Sequence, residues 1–216
     1  MKSYGHTLME LIIAIAVFGV LLSTLFSIFV PGMKSFMLGK NRAEIQSDLM
    51  LSLIRMKREL SSTNSKSVTI NSADTYDLPG AIEKHAIGFL SAYKDTTTGT
   101  QIQLDPATYT IPIWQKFVIY YYIPDAKEIR RKEHAIIPAP VVSPLTHEKL
   151  QNICIDNATY KSSIIARNIK EVSIYRTTPY LVRIEVTATK MGTGLVGKEE
   201  YSMKCFIEVY PHNTTE

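Results

Sequence analysis

Residues Gly5–Val30 read GHTLMELIIAIAVFGVLLSTLFSIFV, and from Leu11 to Val30 there is no charged side chain. The only polar side chains in that run are Ser23, Thr24 and Ser27. As a helix, about 20 residues rising 1.5 Å each would be roughly 30 Å long, the hydrocarbon thickness of a bilayer. A core helix of a soluble protein is rarely apolar on every face over such a length. The run therefore reads as a membrane-spanning helix. A cleaved secretory signal fits poorly, because its apolar part is about 7–15 residues long and precedes a small-x-small cleavage site. Here Phe26, Phe29 and Pro31-Gly32-Met33 supply no such site, and Lys2 is the only basic residue ahead of the run.

The rest of the composition narrows the class further. The chain has 216 residues, 24 Lys plus Arg against 20 Asp plus Glu, and a net charge of +4. That length suits one domain with an attachment. With 45% apolar and 20% charged residues it is not a disordered chain. Ten Gly and ten Pro exclude a collagen-like or linker-dominated chain. Two cysteines, Cys154 and Cys205, exclude a disulfide-dense miniprotein and a four-thiolate zinc site.

Glu10 stands directly against the apolar run. A charge at the centre of a membrane helix costs roughly 2.5–3.5 kcal/mol or more. One account places this carboxylate at the headgroup level, favoured by the positive helix N-terminus. Another considers a cut after Gly5, which would put a new amine on His6 four residues from Glu10. Amine and carboxylate would then each be neutralised by its counterpart on a neighbouring copy. Gly5 followed by His6-Thr7-Leu8-Met9-Glu10 and the apolar helix resembles the class III signal of type IV prepilins and type II secretion pseudopilins.

The resemblance implies cleavage between Gly5 and His6 by a membrane prepilin peptidase and N-methylation of His6. Thr7 and Leu8 would be motif residues, and Glu10 the carboxylate that contacts a neighbouring subunit's N-terminus. It further implies other pilin or pseudopilin subunits, an inner-membrane assembly platform and the lipid bilayer as partners. His6 departs from the Phe usual at the first mature position, and Pro31 lies later than the helix proline common in major pilins.

After Pro31-Gly32, where a kink or break is expected, helical periodicity resumes. Ile45, Leu49, Leu53, Met56 and Leu60 recur at steps of three or four from about residue 34 to 61. This amphipathic stripe is expected to pack on the C-terminal part of the chain. The remainder reads as strands. Residues 117–123, FVIYYYI, form a dense β-branched and aromatic run. Tyr180–Thr189 alternates, with Tyr180, Val182, Ile184, Val186 and Ala188 on one face. Tyr201–Tyr210 alternates with Met203, Cys205, Ile207 and Val209 together, and Lys170–Tyr175 is a further strand.

Strand after strand with no helical spacers predicts an antiparallel sheet covered by the first helix. Residues 71–80, 96–99 and the Pro-bearing 138–144 read as loops. The fold expected is α+β and pilin-like. Its parts are a leader at 1–5, a transmembrane and assembly helix at 6–31, an amphipathic continuation at 32–62, and an extracytoplasmic β-rich head at 63–216.

Few constellations suggest chemistry. Gly192-Thr193-Gly194-Leu195-Val196-Gly197 fits G-x-G-x-x-G, but a strand rather than a helix is expected after it, so a hairpin connection is the better reading. His6, His85, His134, His147 and His212 show no i, i+4 pair, and there is no Cys-x-x-Cys or Gly-x-Ser-x-Gly. Asp74, Asp77, Asp95, Asp105 and Asp125 lack EF-hand spacing and read as solvated turn residues. Arg130-Arg131-Lys132 reads as a solvated strand end, with a phosphate-binding patch as its alternative. No catalytic residue, metal or cofactor is expected, nor nucleic acid as a partner.

Cys154 and Cys205 leave two readings open. A disulfide closing a loop of about fifty residues would contribute roughly 4 kcal/mol, and pilin heads often carry one. Cys205 on an apolar strand face is equally consistent with a buried thiol.

The run FVIYYYIPDAKEIRR and the run ARNIKEVSIYRTTPYLVRIEVTATK resemble segments of large minor subunits, the J-type pseudopilins and W-type minor pilins. That resemblance implies a minor pilin or pseudopilin in a priming or tip position of a type IV pilus or type II secretion pseudopilus. It would cross the cytoplasmic membrane once, with the head outside, before assembly. The rival is an extracytoplasmic binding protein or enzyme that keeps its anchor permanently.

Overall fold

The structure, a computed structural model, describes residues 7–71, 85–96, 99–139, 142–194 and 197–211. The chain divides into two compact units, Met1–Ala43 with Met191–Tyr201, and Glu44–Lys190 with Ser202–Glu216.

Helix α1, Leu8–Ser61, gives its first part to the first unit. Its large apolar side chains from Leu8 to Val30 are all exposed, and the helix is long and apolar enough to cross a membrane. A helix bonds its own backbone, which is what apolar surroundings require. Two hydroxyls follow the same rule: Thr24 Oγ1 donates to the Val20 carbonyl at 2.8 Å and Ser27 Oγ to the Thr24 carbonyl at 2.8 Å. Helical structure continues through Pro31 without the break allowed for by the sequence. Proline removes one donor, opposite the Ser27 carbonyl four residues earlier. The turns on either side hold the helix through that single loss.

The second unit begins with the rest of α1. Ile45, Leu49, Leu53, Met56 and Leu60 are all buried, so the stripe is core as expected. Ser52 and Glu59 share the buried face. A 3-10 turn, Ser65–Ser67, capped by the Asn64 side chain, leads into the strands. In chain order these are β1 (Thr69–Asn71), β2 (Ala86–Ser91), β3 (Tyr93–Thr96), β4 (Gly99–Ile102), β5 (Trp114–Ile123) and β6 (Glu128–Ala139). Helix α2 (His147–Ile155) comes next, then β7 (Ser162–Ala166), β8 (Ile169–Thr178), β9 (Leu181–Gly194) and β10 (Gly197–Val209).

The expectation of strands without helical spacers is corrected by α2. This short helix starts where the Thr146 side chain accepts from the Lys149 N–H at 3.3 Å, and it buries Leu150, Ile153 and Cys154 at helical spacing. The Pro-bearing loop is shorter than expected, since β6 extends to Ala139.

The strands also divide among more than one sheet. A five-stranded sheet has the order β1-β2-β5-β6-β7, a three-stranded one β10-β9-β8, and β3 pairs with β4. In the larger sheet each of the four neighbouring pairs is antiparallel. Phe117 to Tyr122 of β5 are buried without exception. A strand covered on both faces reads as a continuous apolar run, which is why this one was legible. Phe117, Ile119 and Tyr121 join a cluster with Leu145, Leu150 and Ile153, while Tyr120 reaches α1. On β9, Val182, Ile184, Val186 and Ala188 are buried as predicted, but Tyr180 lies exposed in the turn before the strand.

Strand β6 holds the largest correction. Arg131 is 8% exposed and Lys132 0%, so neither is a solvated strand end or a patch open to phosphates. Successive strand side chains point to opposite faces, and here both faces are covered. Arg131 turns to α1, while the Lys132 ammonium donates to the carbonyls of Ile153 (2.8 Å), Cys154 and Asp156 (3.2 Å) at the end of α2. It also lies 5.1 Å from the centre of the Tyr121 ring. A cation at the negative end of a helix dipole is favourable. Arg130, the third member, pairs with Glu128 at 2.9 Å.

Gly88 of β2 lets α2 approach: a Cβ there would lie 2.9 Å from Leu150 Cδ1 and 3.1 Å from Leu145 Cδ1. Overpacking of such a site costs typically about 1–3 kcal/mol. Gly88→Val is expected to destabilise the head by that amount. The single tryptophan, Trp114, is buried in the same cluster and reports urea unfolding by fluorescence. A change under about 0.5 kcal/mol, as at an ordinary surface site, would show that the leucines give way freely.

Candidate assembly site

The start of α1 is where sequence and geometry converge. A helix leaves its first four N–H groups without internal partners. Thr7 precedes α1, and its backbone N–H donates to Glu10 Oε2 at 2.9 Å. The Glu10 N–H donates in return to Thr7 Oγ1 at 3.4 Å. The first helical hydrogen bond, from Leu11 N–H to the Thr7 carbonyl, is 3.3 Å. Thr7 and Glu10 thus form a reciprocal capping box, a device in which each side chain satisfies a backbone donor of the other residue. Both side chains and that of Leu8 are exposed. Gly5 and His6 lie outside the described residues.

Neither reading of Glu10 given above, at the headgroup level by the helix N-terminus or paired with a neighbouring amine, includes this contact with Thr7. The signal was present as Thr7-Leu8-Met9-Glu10, a T-x-x-E capping pattern ahead of an apolar helix. Glu10 therefore satisfies a backbone donor within its own chain, and it places a carboxylate, a group with about four lone-pair sites, at the first turn of an apolar helix.

A second polar centre lies in the head. Glu59 of α1 accepts from Tyr120 Oη at 2.9 Å and from Arg131 Nε at 3.0 Å, and Arg55 Nε stands 3.4 Å away. Glu133 Oε1 receives Arg131 at 2.5 Å and Lys116 at 2.9 Å. Burial, reinforced by the Glu59 charge, raises the Tyr120 pKa and keeps the phenol neutral. Burial opposes the Arg131 charge, but Glu59 more than offsets it and its pKa is raised. Burial also opposes ionisation of Glu133, yet the Lys116 hydrogen bond and the Arg131 charge together hold its pKa below the usual carboxylate value. This network joins helix to sheet and carries no nucleophile-base pair.

The remaining candidates are dispersed. Cys154 is buried in α2 and Cys205 half-covered on β10, and neither belongs to a disulfide. Gly194 ends β9 and Gly197 opens β10, so a strand and not a helix follows the Gly192–Gly197 motif. His6, Asp74, Asp77 and His212 lie outside the described residues. Among the described residues no three His, Cys, Asp or Glu side chains gather as metal ligands.

No curated protein and no solved structure matches the chain. The prokaryotic N-terminal methylation motif matches residues 1–26. The fold has the pilin-like α+β arrangement, with a long N-terminal helix packed against antiparallel sheets. This chain carries the class III prepilin signal of the type IV pilins and pseudopilins at the head of that helix.

Proposed function

We propose that the protein is a minor pilin or pseudopilin, a structural subunit cleaved after Gly5 and N-methylated on His6. The observation that carries this reading is Glu10, a carboxylate in the first turn of an exposed apolar helix within the methylation motif. Before assembly the Leu11–Val30 segment would sit in the cytoplasmic membrane with the head outside. Afterwards it would pack among the helices of other subunits, exchanging acyl-chain contacts for helix-helix contacts. Glu10 would then accept the terminal amine of a neighbouring subunit. The prepilin peptidase, sibling subunits and the inner-membrane assembly platform are the partners this requires. The size of the head and the likeness of residues 117–131 to large minor subunits support a priming or tip position.

Intact-mass analysis of the protein from its native host tests the processing. The expected mature chain begins at His6 and is one methyl group heavier than the unmodified polypeptide. A chain starting at Met1, or one cut after residue 30, would overturn the reading in favour of a permanent anchor or an ordinary secreted protein.

A further inference from the structure

A cleft of about 460 Å³ opens in the head beside the last turns of α1, with β5 and β6 opposite. Among the described residues its charged lining is Arg55, Arg58, Lys116 and Arg131 with Glu59 and Glu133, two positive charges in excess. The two carboxylates are already shared. Glu59 serves Arg131 and Arg55, and Glu133 serves Arg131 and Lys116. Among the described residues Arg58 has no acidic partner, although it lies in the same cleft one helical step beyond Arg55. Like charges gathered in a cleft with low-dielectric walls focus a positive potential into it. Guanidinium groups match carboxylates as planar two-donor forks.

We propose that this cleft receives an acidic polypeptide segment of a partner protein, with carboxylate side chains entering between Arg58 and Lys116. The volume is within the range of sites for ligands of several heavy-atom groups and is large for a single oxyanion. The donors are long side chains on two walls, and α1 presents its C-terminal end here, so the cleft lacks the helix N-terminus amides that cradle phosphate. The cleft belongs to the head and would act whether or not the leader is removed after Gly5.

The test uses the full chain in neutral detergent micelles at low ionic strength, titrated calorimetrically with acetyl-Glu-Glu-Glu-amide. Acetyl-Gln-Gln-Gln-amide and inorganic phosphate serve as comparison ligands. One saturable site for the triglutamate peptide is expected, with no saturable binding of triglutamine and weaker binding of phosphate. Arg58→Gln, on an exposed position, should weaken the peptide about fivefold or more by removing one charge-assisted fork. Arg167→Gln, an exposed cation 3.5 Å from Glu128, should leave the affinity unchanged. Urea unfolding followed at Trp114 checks that both variants are folded.

Absence of saturable binding, equal binding to Arg58→Gln, or an equal loss in Arg167→Gln would each overturn the proposal. Phosphate binding as tightly as the peptide, with the same dependence on Arg58, would also overturn it by assigning the cleft to a free oxyanion. A changed unfolding midpoint in Arg58→Gln with unchanged affinity would mean that Arg58 serves only the end of α1, and overturns it as well.

Discussion

Glu10→Gln is expected to be processed normally and to fall out of the assembled structure. Glutamine fills the last position of a capping box nearly as well as glutamate, so the Thr7 contact and the start of α1 survive. What is lost is the negative charge. An unneutralised terminal amine among apolar helices is penalised by roughly 2.5–3.5 kcal/mol, or on the order of 100-fold in an equilibrium constant. Recovery in sheared filaments or cross-linked assemblies should drop accordingly, while membrane levels and the mass of the mature chain stay as in wild type.

Two companion variants separate capping from assembly. Thr7→Val removes the cap alone and should cost about 1 kcal/mol of local helix stability, with a mild effect on recruitment. Glu10→Val removes both functions and should resemble Glu10→Gln in assembly. Wild-type recovery of Glu10→Gln would confine the carboxylate to its intrachain contact with Thr7.

The second large effect concerns the buried pair between helix and sheet. Arg131→Met leaves Glu59 beneath the sheet with Tyr120 and the more exposed Arg55 as its remaining partners. Breaking a buried pair by removing one partner typically costs about 3–5 kcal/mol. The unfolding free energy of the head, obtained from urea denaturation followed at Trp114, should fall by that amount. The double variant Arg131→Met with Glu59→Leu should recover part of the loss, because replacing both charges by apolar groups is often near neutral; leaving the buried Tyr120 hydroxyl without its Glu59 acceptor withholds about 1–3 kcal/mol. A single-variant cost under about 1 kcal/mol would show that water reaches Glu59 and that the pair is effectively a surface one.

These two sites differ in how far they could be read beforehand. Helical period exposed the buried stripe from Ile45 to Leu60, and the unbroken apolar run exposed β5, because burial on one stripe or on both faces leaves a pattern in side-chain polarity. Strand β6 has no such pattern. Its Arg130-Arg131-Lys132-Glu133-His134 run looks solvated, yet alternation directs Arg131 under α1 and Lys132 under the end of α2. Their charges are satisfied by a helical carboxylate and by carbonyls far along the chain, and nothing local to β6 announces either.

Helix α2 was obscured by its brevity and by the prolines before it. The division into sheets was hidden for a different reason: alternation tells which side chains share a face, but not which strand lies alongside. At the start of α1 the capping pattern is spelled out in Thr7-Leu8-Met9-Glu10, a T-x-x-E signal as local as the helical period.

The hydroxyls of Thr24 and Ser27 hand their protons to the backbone one turn earlier. Sideways, then, those two groups have no donor left to press on whatever surrounds the rod. They set no preferred azimuth, and swapping lipid tails for protein need not break or remake their bonds. In the assembly proposed above, angular seating would be left to surface contour and to the pairing of Glu10, which would let such a subunit sit beside neighbours of unlike sequence.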